Sequence, residues 1–372
     1  MEPVTPTYAL VAGGGTAGHI IPGLAVAAAL VARGHEPASL VFVGSERGLE
    51  NQLVPEAGYP LVALPGRGIQ RRFTWENVDA ILGILRGVIK GIGLVRRLRP
   101  KVVLVVGGYA SVACTVGAVL SRVPIVVTEQ NARAGAANRL AGLFAKAAAV
   151  PFPDTDLPRK VVAGNPVRPE ILTIDRVRDR DAARAALGLP SGRTVIAVFS
   201  GSLGSRTIND AVRGLLPLWR DRDDVVIRHV IGTRDWGELG GPPELPEDGL
   251  LYQPVRYENH MELMLAAADL AVTRAGGNTV AELAVAGLPA VLVPLPIAPR
   301  DHQTANAAVL MRAGAAILVP DVEMNAARLA EELEPLLAEP ARLAAMSEAV
   351  RSVAYRDAAD RVARLVEEHA RA

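Results

Sequence analysis

Short unbroken apolar runs alternate with longer stretches of helical composition along most of this chain. In the first half the runs fall at residues 8–12, 39–43, 61–64, 102–106, 125–128 and 147–150. They are rich in Val, Ile, Leu and Ala and show no polar alternation, which predicts parallel strands buried on both faces by helices. A proline-rich passage follows, from Pro151-Phe152-Pro153 to Gly164-Asn165-Pro166-Val167-Arg168-Pro169, and reads as a linker. The pattern restarts at residues 194–199, continues at 225–231, 250–253, 270–273, 290–293 and 316–319, and ends in amphipathic helix from Asn325 onward. The predicted fold class is α/β, with two Rossmann-like domains in tandem. Their expected extents are residues 1–163 and 164–350, followed by a terminal helix over 351–372. Parallel sheets of this kind bind ligands at the carboxyl ends of their strands, so the two are expected to face each other across a cleft.

A length of 372 residues supports two cores, and the low aromatic content (4%) beside 50% hydrophobic residues suits α/β layers better than a β sandwich. Cys114 is the only cysteine, which excludes an intrachain disulfide and a cysteine zinc cluster and fits a reducing compartment. The N-terminus lacks the basic and apolar regions of a signal peptide, and no apolar run approaches the ~18 residues of a membrane span. A cytoplasmic protein is expected, with room for attachment to a membrane surface. Charge is unevenly placed. Residues 1–165 hold 17 Lys and Arg against 10 Asp and Glu, and the remainder holds 23 against 29. The basic half is expected to face an anionic partner.

The first strand runs into Gly13-Gly14-Gly15-Thr16-Ala17-Gly18-His19, and residues 24–32 have helical composition. A strand, a glycine turn and a helix start make an anion site, because free N–H groups and the helix dipole point at one place. The string fits G-x-G-x-x-G, but the acidic residue a dinucleotide-binding domain needs at the end of its second strand is missing, since Glu36 precedes that strand. No Gly-Lys-Ser/Thr follows, which excludes a P-loop. His19 reads either as a loop histidine capping backbone groups or as a general base near neutrality. A second glycine turn, Gly107-Gly108-Tyr109-Ala110-Ser111, lies at the same sheet edge, and Thr128-Glu129-Gln130-Asn131 ends the fifth strand there. In the second half, Ser200-Gly201-Ser202-Leu203-Gly204-Ser205 follows a strand. The longer string Arg274-Ala275-Gly276-Gly277-Asn278-Thr279-Val280-Ala281-Glu282 leads a strand into a helix whose N-terminus suits a diphosphate. Glu282, in about the first helical turn, either takes two ribose hydroxyls or complements the helix dipole.

Metal use is not expected. Asp154-Thr155-Asp156 sits among prolines, and Asp179-Arg180-Asp181 and Asp221-Arg222-Asp223 lie in charged stretches, so all three read as solvated. Residues 67–101 carry nine basic and two acidic residues. Apolar side chains are interleaved with them, among them Ile69, Phe73, Trp75, Ile81, Leu82, Ile84, Leu85, Val88 and Ile89. This segment, with Arg71 and Arg72, reads either as a patch for anionic lipid or as a helix packed on the sheet with a basic outer face. No nucleic-acid motif is present.

Taken in order, these strings resemble the MurG family of peptidoglycan glycosyltransferases nearly end to end. The anchors are the loop from Gly14 to Pro22, Gly107-Gly108-Tyr109, Glu129-Gln130-Asn131, Gly164-Asn165-Pro166-Val167-Arg168, the string from Gly276 to Glu282, and Gln303. The resemblance implies a GT-B fold whose C-terminal helix can pack back on the first domain. It implies an N-acetylglucosaminyltransferase that uses UDP-N-acetylglucosamine and lipid I (undecaprenyl-pyrophosphoryl-N-acetylmuramoyl-pentapeptide) and needs no cofactor. The expected place is the cytoplasmic face of the membrane, as a peripheral protein. Carried over by position, donor contacts fall on Thr16, Ala17, Gly18, Asn131, Arg168, Ser202, Gly277, Asn278, Thr279, Val280, Ala281, Glu282 and Gln303. Glu282 is expected on the ribose, Gln303 on the sugar hydroxyls, and His19 beside the acceptor hydroxyl as base. The acceptor's pyrophosphate is expected against Gly14, Gly15, Gly107, Gly108, Tyr109 and Ser111.

The chain departs from the family pattern at three places. Ala17 replaces a glycine of the first loop, Thr128 stands where histidine is common, and Ser202-Leu203-Gly204 lacks the usual glutamine. The alternatives are another lipid-directed GT-B transferase, a non-catalytic sugar-nucleotide-binding subunit, and an NAD-dependent oxidoreductase. The last lacks its ribose carboxylate.

Overall fold

A computed structural model of the protein describes residues 6–46, 48–65, 76–239 and 245–372, with the backbone alone for 76–85. Of the expected lipid-facing segment, Ile69, Arg71, Arg72, Phe73 and Trp75 lie outside the described residues. The chain forms two compact units. One comprises residues 1–168 together with 355–372, the other residues 169–354.

The first unit alternates strand and helix: β1 (Ala9–Gly13), α1 (Ala17–Ala32), β2 (Leu40–Ser45), α2 (Glu50–Glu56), β3 (Leu61–Leu64), α3 (Glu76–Leu98), β4 (Val102–Gly107), α4 (Tyr109–Leu120), β5 (Ile125–Thr128), α5 (Ala136–Gly142), β6 (Ala147–Val150) and β7 (Lys160–Val162). Its parallel sheet has the order β3-β2-β1-β4-β5-β6-β7. Alternate side chains of each strand enter different cores, as the pleat requires. Leu10, Val41, Val103 and Val105 pack with Val95 and Cys114 beneath α3 and α4. Val11, Phe42, Leu104 and Val106 pack with Ile20 and Leu30 of α1 on the other face. Burial pushes the Cys114 thiol up to about 12, so it behaves as a small apolar group.

The second unit begins with α6 (Pro169–Leu172) and α7 (Arg176–Ala186). It continues with β8 (Thr194–Phe199), α8 (Arg206–Leu215), β9 (Val225–Val230), β10 (Leu251–Val255), α9 (Met261–Ala267), β11 (Leu270–Thr273), α10 (Gly277–Ala286), β12 (Ala290–Leu292), α11 (His302–Arg312), β13 (Ala316–Leu318), α12 (Ala326–Ala338) and α13 (Pro340–Ser352). The parallel sheet order is β10-β9-β8-β11-β12-β13. Asp175 caps α7, Ser205 caps α8 and Asn325 caps α12, each by accepting a backbone N–H of the first turn.

The last helix, α14 (Ala358–His369), belongs to the first unit and lies against α1. Val362, Ala363 and Val366 are fully buried in the α1-side core. Arg33 bonds Asp360 and Glu367, which holds the Glu367 carboxyl below its ordinary range, mainly through its hydrogen bond to Arg33. Those ion pairs are partly exposed and screened by solvent, so they add little. Each buried valine contributes about 1.5–3 kcal/mol, so apolar packing is what anchors the helix.

Among the described residues, a buried polar cluster lies in the second unit around His229. His229 of β9 is fully buried, with Nε2 3.0 Å from Asn209 Oδ1 and Nδ1 3.0 Å from the Tyr252 hydroxyl. The Asn209 amide nitrogen already donates to Ile231 O and Asp235, so its oxygen must accept and His229 carries its proton on Nε2. Burial pushes the imidazole down to about 3. The folded unit therefore refuses a proton that the unfolded chain accepts below its ordinary value of 6.5. The stability that results is present above that value and is lost as pH falls toward about 3. Urea unfolding of the second unit should show a loss of about 2 kcal/mol between about pH 7 and pH 5 that His229→Gln abolishes. An equal slope in the variant would contradict the assignment.

Candidate functional site

In the first sheet, β1 and β4 are neighbours whose crossovers leave in opposite directions, so the loops after them open a crevice at a topological switch point. The two loops touch. The Gly14 N–H donates to Gly107 O at 3.2 Å. A Cβ on Gly108, at φ +88°, would lie 2.4 Å from Gly14 O, and one on Gly13 would lie 2.6 Å from Gly107 O. Only glycine allows this approach.

His19 occupies the first turn of α1, which starts at Ala17 and runs through buried Pro22. The sequence reading placed the helix after Gly23. Proline in the second turn removes a single intrahelical bond, and the packing of Ile20 and Val26 outweighs that loss. His19 Nδ1 lies 3.1 Å from Gly14 O and 3.4 Å from Thr16 Oγ1. A carbonyl only accepts, so Nδ1 carries the proton and the neutral ring keeps its lone pair on Nε2. A Cβ on Gly107 would stand 2.8 Å from Nε2, so the bare glycine leaves that edge of the ring open.

Several residues expected on the acceptor's pyrophosphate make bonds within the protein. Ser111 Oγ accepts the Gly107 N–H at 3.0 Å and donates to Ala12 O at 2.7 Å, stitching β4 to β1 in a fully buried position. The Tyr109 hydroxyl donates to Pro65 O at 2.8 Å, and burial raises its phenol above the ordinary value. The Gly15 N–H donates to Glu50 Oε2 at 2.9 Å. Gly14, Gly15, Gly107, Tyr109 and Ser111 thus frame the two loops through these groups.

After β5, Glu129 is a buried turn organiser. Its Oε1 accepts from Gln130 N and Asn131 N at 3.0 Å each, and its Oε2 accepts from Gly135 N at 3.0 Å and Asn138 Nδ2 at 2.8 Å. This fixes Asn131 at the same sheet edge as the glycine loops. Arg168 is half-buried at the last position of the first unit's main segment. Asp156 is exposed, as expected of a solvated carboxylate, and its Oδ1 also accepts from Ala134 N at 2.9 Å.

The second sheet repeats the switch point between β8 and β11. Here a side chain joins the loops. Arg274 Nη2 donates to Ser205 Oγ at 2.7 Å, and Nη1 donates to Val293 O at 3.0 Å and pairs with Asp321 at 2.5 Å. Ser202 is exposed, and its carbonyl accepts from Thr233 N and Oγ1 at 3.0 Å each. Helix α10 starts at Gly277 with no side-chain cap, and the turn before it is clamped from α11. Gln303 Oε1 accepts from Ala275 N at 3.1 Å and Leu295 N at 2.9 Å, and Asn306 Nδ2 donates to Ala275 O at 3.0 Å. With its oxygen so engaged, Gln303 has its NH₂ as the other polar end of the side chain. Glu282 is buried in the second turn of α10, one turn beyond the place where a carboxylate would complement the dipole. Gly277, Asn278, Thr279, Val280 and Ala281 form the first turn and a half of that helix. Among the described residues no cluster of His, Cys, Asp or Glu suits a metal ion, and no helix is long and apolar enough to cross a membrane.

Residues 9–150 match the glycosyltransferase family 28 N-terminal domain, and residues 195–362 match the family's C-terminal domain. The chain belongs to glycosyltransferase family 28. Among curated members, it is 41% identical over 96% of both chains to a protein of Nocardioides sp.. It is 42% identical to one of Saccharopolyspora erythraea over 95% of this chain and 91% of the other. Both are named UDP-N-acetylglucosamine–N-acetylmuramyl-(pentapeptide) pyrophosphoryl-undecaprenol N-acetylglucosamine transferase. The crystal structure of Acinetobacter baumannii MurG is similar at a TM-score of 0.76 and 28% identity, covering 98% of this chain and 100% of that one. The family 28 member described here therefore has the GT-B fold, and the resemblance to the MurG family stands.

The glycines of the β8 loop separate backbone conformation from space. Gly201 and Gly204 share a left-handed φ, +78° and +82°, but a Cβ meets nothing at Gly201 and lies 2.0 Å from Ile231 O at Gly204. Gly201→Ala should cost about 1–2 kcal/mol from conformation alone. Gly204→Ala adds a backbone clash and should cost about 3 kcal/mol or more. Equal shifts in the urea midpoint of the two variants would contradict this geometry.

Proposed function

We propose that this chain transfers N-acetylglucosamine from UDP-N-acetylglucosamine to the muramoyl 4-hydroxyl of lipid I, giving lipid II, by an inverting displacement without a metal ion. The observation that carries the reading is the shared activity named for curated relatives at 36–42% identity along almost the whole of both chains. The donor's diphosphate lies at the N-terminus of α10 and the Ser202 loop, where the partial positive charge of the helix end balances the charge of the leaving group. Glu282 takes the ribose hydroxyls and Gln303 gives its NH₂ to the sugar. Thr16, Ala17, Gly18, Asn131 and Arg168 complete the donor contacts from the first unit.

The acceptor oxygen attacks the anomeric carbon, and the bond to the diphosphate breaks with its electron pair leaving on UDP. The hydroxyl proton passes to His19 Nε2, the nitrogen that the Gly14 contact leaves unprotonated. Lipid I carries a polyprenyl chain, so the protein works at the cytoplasmic membrane surface as a peripheral enzyme. The basic balance of residues 1–165 supports that placement. So do exposed Leu120 on α4 and Leu143 and Phe144 just after α5.

A purified protein given radiolabelled UDP-N-acetylglucosamine and a lipid I analogue should label the analogue, and a diacylglycerol acceptor should stay unlabelled. His19→Ala should lower kcat by about 10²- to 10⁴-fold and leave UDP affinity unchanged. Full turnover by the variant would reject His19 as the base, and labelling of diacylglycerol alone would reject the acceptor.

A further inference from the structure

One peptide group separates His19 from a buried carboxylate. The Gly14–Gly15 peptide accepts His19 Nδ1–H on its oxygen at 3.1 Å and donates its N–H to Glu50 Oε2 at 2.9 Å. Glu50 is fully buried at the start of α2. Its Oε1 accepts from Ser45 N at 2.6 Å and Ser45 Oγ at 2.9 Å, so its bonds among the described residues come from neutral dipoles. Its surroundings are shaped to admit it. A Cβ on Gly14 would lie 2.3 Å from Oε1, one on Gly44 2.4 Å from Cγ, and one on Gly48 1.9 Å from Oε2. Three glycines, one in the first loop, one in β2 and one just after β2, thus make room for one carboxylate behind the first glycine loop.

We infer that Glu50 is a positioning residue for His19, acting through the Gly14–Gly15 peptide as a carboxylate–peptide–imidazole relay. The inference rests on the reading of His19 as the base. The peptide is planar and conjugated, so a carboxylate on its N–H draws electron density toward its oxygen and strengthens that oxygen as an acceptor. The relay does two things. It holds the ring with the proton on Nδ1 and the lone pair on Nε2, and it stabilises the imidazolium formed when Nε2 takes the acceptor's proton. The proton goes to Nε2 and stays there until product leaves, Nδ1 keeps its own, and no proton moves to Glu50.

Glu50→Gln keeps the volume but cannot accept at both ends. One end of the amide must set an N–H against the N–H of Gly15 or of Ser45. The variant should lose about 10- to 100-fold in kcat with the KM for UDP-N-acetylglucosamine unchanged. In the His19→Ala background the same substitution should cost no further activity, because its effect runs through the ring. A further loss of the same size in that background would overturn the relay and leave Glu50 a loop scaffold. Nitrogen-15 NMR of the unliganded wild type supplies a readout independent of catalysis and of whether the variant folds. The neutral His19 ring should be protonated on Nδ1, and an Nε2-protonated ring would overturn the relay outright. Loss of the catalytic effect of His19→Ala with the Nδ1 tautomer intact would instead reject only the role of His19 as base.

Discussion

The contact between the glycine loops after β1 and β4 is the constraint on which the first unit's chemistry depends. Two backbones approach until Gly14 N–H reaches Gly107 O, and a methyl group at Gly13 or Gly108 would force them apart. That approach fixes the Gly14 carbonyl, the carbonyl fixes the His19 ring, and the open face of Gly107 leaves Nε2 accessible. A base must be held within a few tenths of an ångström of its proton donor to be useful, and rigid backbone does this better than a free loop.

The two units solve the same problem differently. At the β8/β11 switch point the loops are tied by the Arg274 guanidinium, which reaches three of them, and by Gln303 and Asn306 gripping the peptide groups of Ala275. The first unit binds its loops with backbone and buried carboxylates, Glu50 and Glu129, each accepting several N–H groups.

Much of this was legible in the sequence. Continuous apolar runs mark strands buried on both faces, and all six first-half runs lie in the first sheet. The seventh strand, β7, escaped because it is a largely exposed edge among prolines whose apolar run, Val161-Val162-Ala163, is very short. The start of α1 escaped because Pro22 reads as a breaker, yet it sits where one lost bond is tolerated. The family was readable because six anchors occur in order. The roles within them were less so, since a string such as Gly-Gly-Tyr-Ala-Ser does not say whether its hydroxyls face a ligand or the opposite strand. Glu50 carries no signal at all. A single glutamate beyond β2 resembles any surface residue, and only the fold brings Gly14, Gly44 and Gly48 around it.

The stereochemistry of the product tests the central claim most directly. A single displacement, with one base and no covalent intermediate, turns an α-linked donor into a β-linked product. NMR of the disaccharide made from UDP-N-acetylglucosamine and a lipid I analogue in the presence of chelator should show the β anomer, with one UDP released per transfer and none without acceptor. An α-linked product, or UDP released at the same rate when the acceptor is withheld, would contradict the account.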